Sequence, residues 1–237
     1  MLMDLRSKTT RILSLALLAC AAASVMPAGV INPCPTASVA VYETLTVPCQ
    51  VGSLEFSGFA YTNTYFPTLP GPAASAVTIA PSTNPADPGL NLSAAWNVSG
   101  GIGMDSALTY LVQTISGLPT IDEADFGMTE VTTSPQVSVQ VSETLCIGVT
   151  LGPGACPPGD LISLNVPNTG SQWTSTTFGP VSELTISNDI FIKSNGGTGS
   201  ISNVGNNLPG TVPEPGTPLL GLSGLLVLGF VAKFARR

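Results

Sequence analysis

Between two longer apolar segments at its ends, the chain runs in short stretches of Val, Ile, Thr, Tyr and Phe, separated by clusters of Gly, Pro, Asn and Ser. Such punctuation predicts strands joined by turns. Strands are expected near 38–46, 53–61, 76–80, 90–98, 107–114, 136–147, 161–166, 181–187, 190–193 and 200–204. Val137, Val139 and Val141 alternate with Ser138, Gln140 and Ser142, giving one buried and one wet side, as antiparallel sandwich strands have. Helical periodicity is almost absent. The expected fold is all-β, a jelly-roll-like antiparallel β-sandwich over residues 29–208.

Composition agrees with this pattern. Of 237 residues, 25 are Gly and 21 Pro, and only 9% are charged, which suits short strands with many turns. With the ends set aside, the length fits one domain of ordinary size. Between Ala28 and Pro215, thirteen acidic residues face a single base, Lys193. That balance repels polyanions and excludes nucleic acid as a partner.

The remaining bases sit at the ends. Arg6, Lys8 and Arg11 precede the uncharged stretch Ile12 to Ala23, whose length is that of a signal-peptide core rather than a membrane span. Residues 1–28 are read as a signal peptide, with small residues that suit cleavage after Ala23 or Ala28. Leu17-Leu18-Ala19-Cys20 is similar to a lipobox, but Leu at its middle position is atypical, and Cys20 is read as a cysteine of the signal. At the other end, residues 209–237 carry Val212-Pro213-Glu214-Pro215, an uncharged run from Thr217 to Ala232, and the basic end Lys233 to Arg237. As a helix, that run would span about 24 Å at ~1.5 Å per residue, slightly short of a ~30 Å hydrocarbon core. Basic flanks stay on the cytoplasmic side, so both ends would face inward and the middle outward.

The order of these parts carries a resemblance. Val212, Pro213, Glu214 and Pro215, followed by an apolar helix and terminal Arg236 and Arg237, look like the PEP-CTERM sorting signal of Gram-negative bacteria. The resemblance implies recognition by an exosortase, a membrane-embedded cysteine transpeptidase that cuts at the Pro-Glu-Pro element, with this protein as its substrate. It implies an inner-membrane-anchored precursor that ends in the envelope, at the cell surface or in the extracellular matrix. A looser resemblance, to an uncharacterised group of PEP-CTERM ectodomains, covers most of 31–208. It rests on Cys34, Tyr42, Cys49, Gly52, Phe56, Pro88-Gly89-Leu90, Trp96, Glu143, Cys146, Cys156, Asn188-Asp189-Ile190 and Gly196-Gly197. It implies no known activity.

Removing the signal leaves Cys34, Cys49, Cys146 and Cys156, an even number that suits disulfides in an oxidising compartment. Three pairings are possible. Short separations and intervening turns favour Cys34 with Cys49 and Cys146 with Cys156.

The chain contains no His, which removes Ser-His-Asp and Cys-His chemistry. Carboxylate chemistry would need two acids facing one cleft, and Asp105, Glu143, Glu183 and Asp189 are read instead as solvated strand ends and turns. No enzyme, cofactor or zinc site is expected. Asp122, Glu123 and Asp125 form the densest acidic cluster, a calcium candidate if they share a loop, though without EF-hand spacing. Trp96 lies in an alternating strand and is assigned to the core. Trp173, in the polar context Gly170 to Ser175, reads as a turn residue exposed enough to stack on a sugar ring. Asn91-Leu92-Ser93 and Asn97-Val98-Ser99 match the glycosylation pattern but read as strand residues. The expectation is an exported surface or matrix protein with a structural or binding role. The alternative is a carbohydrate-binding or calcium-dependent module, with extracellular polysaccharide as its partner.

Overall fold

Alternating side chains dictate a chain that buries one face of each strand, and two sheets covering each other are the simplest way to do so. The structure, a computed structural model, describes residues 32–66, 70–84, 86–115, 120–129, 132–148, 156–166 and 172–210. Residues 1–28, read as a signal peptide, and those from 211 on, read as the sorting motif, apolar helix and basic end, lie outside these residues.

In chain order the elements begin with β1 (Ala37–Ser38), the one-turn helix α1 (Val39–Tyr42), β2 (Cys49–Val51), β3 (Leu54–Phe66) and β4 (Thr78–Pro81). They continue with β5 (Gly89–Ser99), β6 (Gly103–Thr114), β7 (Ile121–Thr129), β8 (Thr132–Thr133) and β9 (Val137–Ile147). The last four are β10 (Leu161–Val166), β11 (Trp173–Val181), β12 (Glu183–Ser194) and β13 (Thr198–Asn207). Two sheets result, antiparallel in every strand pairing, with one isolated parallel bridge from Pro33 to Gln50 of β2. The six-stranded sheet runs β10-β9-β12-β6-β3-β2. The seven-stranded sheet runs β1-β4-β5-β13-β7-β11, with the short β8 beside one end of β13. The antiparallel β-sandwich expected from the sequence is therefore present.

The core lies between the sheets. Leu90, Leu92, Trp96 and Val98 from β5, with Ala124, Phe126 and Met128 from β7, face Leu108, Tyr110 and Val112 from β6 and Ile186, Ile190 and Ile192 from β12. Trp96 is fully buried, and its indole Nε1 donates to Ser106 Oγ at 3.3 Å, so its polar edge is satisfied inside the sandwich. Phe59 stacks on Tyr110 with ring centroids 5.5 Å apart, and the edge of Tyr42 meets Phe59 at 4.7 Å.

Two local expectations are corrected. Residues 38–46 do not form a strand. Val39, Ala40, Val41 and Tyr42 are all apolar and give no alternation to read, and the structure buries Val39 and Tyr42 at helical spacing. The Tyr42 hydroxyl donates to the Pro35 carbonyl at 2.6 Å, which pins the turn. Nor are 181–187 and 190–193 separate strands. β12 is continuous because the polar Asn188, which reads as a break, points into the core and has a partner there.

The disulfides are Cys34–Cys49 and Cys146–Cys156, closing separations of 15 and 10 residues. The first ties the segment before β1 to β2, and the second ties the end of β9 to the turn leading into β10. Disulfide-bonded domains belong to oxidising compartments, so the folded domain is of extracellular type.

Candidate functional site

The outer face of the seven-stranded sheet carries a row of residues one strand apart. Asn91 on β5 pairs with Gly205 on β13, Gly205 with Gly127 on β7, and Gly127 with Trp173 on β11. Trp173 therefore begins an edge strand rather than sitting in a turn, which corrects the sequence reading of its context. It is 41% accessible, and it is the exposed tryptophan among the described residues.

The two glycines explain how the indole lies. A methyl group on Gly127 would overlap Trp173 Cδ2 and come within 2.6 Å of Cε3. One on Gly205 would come within 2.7 Å of Cη2 and 2.9 Å of Asn91 Oδ1. The six-membered ring thus rests across both glycines and spans two strands, with the Asn91 side chain at its far end. Only residues without a side chain leave room for a ring this close to the sheet. An open hollow of about 350 Å³ adjoins the ring, lined by Asp125, Trp173, Thr174 and Ser175.

The next row on the same face runs Gly89, Asn207, Asp125 and Ser175. Asn207 Oδ1 is buried and accepts no hydrogen bond from the described residues. Asp125 and Glu123 share this outer face by the two-residue period of β7, and Asp87 lies close enough to act on Asp125 electrostatically. The Asp125 carboxyl is raised above the ordinary carboxylate range, first by burial and then by the charges of Glu123 and Asp87. Burial alone raises Asp87.

The acidic cluster does not sit on a loop. Asp122, Glu123 and Asp125 lie on β7, where Asp122 falls in step with the inward Ala124, Phe126 and Met128, while Glu123 and Asp125 point outward. Among the described residues, no group of three Cys, Asp or Glu side chains is placed to hold a metal ion. Asp122 and Glu123 line one hollow with Thr177 and Phe178, while Asp125 lines the one beside Trp173.

The other carboxylates divide three ways. Glu143 is not a solvated strand end. It is wholly buried on β9, its Oε2 accepts from Asn188 Nδ2 at 2.8 Å, and its carboxyl is pushed up to about 8 by burial, with the Asn188 bond opposing. Glu143 Oε1, Asn188 Oδ1 and the Tyr110 hydroxyl have no hydrogen-bond partner among the described residues. Asp189 lies mid-strand on the outer face of the other sheet, and Asp105, on the neighbouring β6, is its hydrogen-bond partner. Burial, that hydrogen bond and the Asp105 charge push Asp189 up to about 6. Glu183 Oε2 accepts from Gln113 Nε2 at 2.8 Å. The structure brings Asp105 and Asp189 together and keeps Glu143 and Glu183 apart from them. The Asn91 and Asn97 motifs lie in β5, as read. Val212, Pro213, Glu214, Pro215, Arg236 and Arg237 fall outside the described residues.

The fold and the site define an extracellular-type β-sandwich with an open aromatic hollow on one sheet. No protein-family model matches the chain, and no curated protein matches it. Among solved structures, it is similar to TmCBM61, a carbohydrate-binding module in complex with β-1,4-galactotriose, at 13% identity. That match covers 62% of this chain and 86% of the module, with a TM-score of 0.30.

Proposed function

We propose that this is an exported envelope or matrix protein whose sandwich binds extracellular glycan at Trp173. The observation that carries the reading is the indole resting across Gly127 and Gly205 while 41% of the residue stays open to solvent. A large apolar ring left open on a polar sheet face costs solvation in the free protein and is repaired by a ligand with an apolar face. A pyranose offers such a face on its C–H side, with hydroxyls around its edge for Asn91, Asp125 and Ser175. The role is binding rather than catalysis. An array of plant, algal and bacterial glycans probed with the wild-type protein and Trp173→Ala tests it. Reproducible binding lost in the variant is expected, and equal signals from both proteins would overturn it.

The route to the surface is part of the same proposal. Val212-Pro213-Glu214-Pro215, the apolar run and Arg236-Arg237 resemble a PEP-CTERM signal, and an exosortase would process this chain at the inner membrane. The two cystines fit the oxidising side of that membrane.

A further inference from the structure

The glycan hollow has a sign. Asp125 lines it beside the Trp173 ring, and the charges of Glu123 and Asp87 both act on Asp125. Among the described residues, Lys193 is the single base, and it lies on β12 in the other sheet. The hydroxyls of Thr174 and Ser175 that line the hollow can donate or accept, so its fixed polarity is that of Asp125, which only accepts hydrogen bonds when ionised.

Resting on the reading above, we propose that the Trp173 hollow takes a glycan that presents hydrogen-bond donors and no anionic group, and that Asp125 is the residue that rejects uronate and sulfate. A sugar hydroxyl or ammonium donates to a carboxylate, and charge-assisted bonds of this kind are the stronger ones. A uronate brings a second carboxylate against that of Asp125, and when both are ionised neither can donate to the other and their charges repel. The aromatic ring adds to the selection, because an ammonium is drawn to its face and a carboxylate is not.

The test is calorimetric titration of the mature chain with three oligosaccharides of matched backbone: neutral, amine-bearing and uronate. Each is measured at about 10 mM and about 150 mM salt, where charges are screened over roughly 30 and 8 Å. The neutral and amine-bearing sugars are expected to bind, and the uronate at least about tenfold more weakly, a difference of about 1.4 kcal/mol. Higher salt and Asp125→Asn should both narrow that gap. An amine-bearing sugar that binds more tightly than the neutral one and loses its advantage in salt identifies ammonium as the preferred donor. Equal affinity identifies hydroxyl. Uronate binding as tight as neutral binding in the wild type overturns the charge rule, and a gap unchanged in Asp125→Asn overturns the role of Asp125. In both cases, loss of all binding in Trp173→Ala leaves the site itself standing. Binding of none of the three sugars, or binding that survives Trp173→Ala, removes the glycan site and the charge rule together.

Discussion

Glu143 is an acid in an apolar interior, and its environment sets a pH dependence for the whole domain. The groups that face it are Tyr110, whose hydroxyl is itself raised well above 10.0 by burial and by Glu143, and the neutral amide of Asn188. Its carboxyl titrates near 8 in the fold against an ordinary 4.5, so the folded protein holds a proton that the unfolded chain has released. Stability from that proton is complete below about 4.5 and is lost as pH climbs through about 8, with a ceiling of roughly 1.4 kcal/mol per pH unit for one group. The melting temperature of the wild type should therefore fall from pH 5 to pH 8. Glu143→Gln keeps an oxygen for Asn188 and removes the charge, so its melting temperature should fall less over that range, keeping the fall through about pH 6 that Asp189 contributes. Parallel curves for the two proteins would refute the assignment. Gly205→Ala probes the floor of the hollow at the same scale. Its methyl would meet the Trp173 ring tip and the Asn91 amide oxygen first, both side-chain atoms, so the ring must lift. Glycan affinity should drop by about tenfold or more while the melting temperature moves by only a few degrees. Unchanged affinity would mean that the seat of the ring is irrelevant to binding.

At the scale of elements, the sequence showed strands wherever apolar residues alternate with small polar ones. The Val137–Val141 run becomes β9 and its inward valines enter the core. β7 and β11 escaped because their signals are chemical opposites of what a strand looks like. In β7, Asp122, Glu123 and Asp125 outweigh the inward Ala124, Phe126 and Met128, although that even-numbered apolar set was readable. In β11, Thr and Ser dominate an edge strand that buries little. Trp173 was identified, but Gly127 and Gly205 were not, because pairing across three strands that are distant in sequence cannot be deduced from one chain. A lone Gly between apolar strand residues, as in Phe126-Gly127-Met128, was the available hint of a close approach. The cystines belong to this scale as well. Closing 15 residues in Cys34–Cys49 constrains the unfolded chain by about 3 kcal/mol. Replacing both cysteines with Ser should lower stability by roughly 2–4 kcal/mol in chemical denaturation, because α1 and β2 lose their tether. A loss below about 1 kcal/mol would show that α1 is held by its packing on Phe59 and its hydrogen bonds to Pro35 and Val77 without the tether.

For the whole molecule, the proposal joins a processed tail to a sandwich whose two outer faces differ. One face carries Trp173 on its glycine floor, and the other carries the Asp105–Asp189 pair. If the tail is a sorting signal, intact mass spectrometry of protein from its own host will find a C-terminus near Pro213-Glu214-Pro215, and one still at Arg237 would contradict sorting. The central claim is that the Trp173 face, not the other, meets glycan. Nitrogen–proton NMR of the labelled mature chain tests this most directly, since the indole N–H signals of the buried Trp96 and the exposed Trp173 report the two environments separately. On titration with neutral and amine-bearing oligosaccharides, the account predicts that the Trp173 indole and the amides of Asn91, Gly127 and Gly205 shift together while the Trp96 indole stays in place. A still Trp173 signal, or shifts confined to the strands around Asp105 and Asp189, would contradict it.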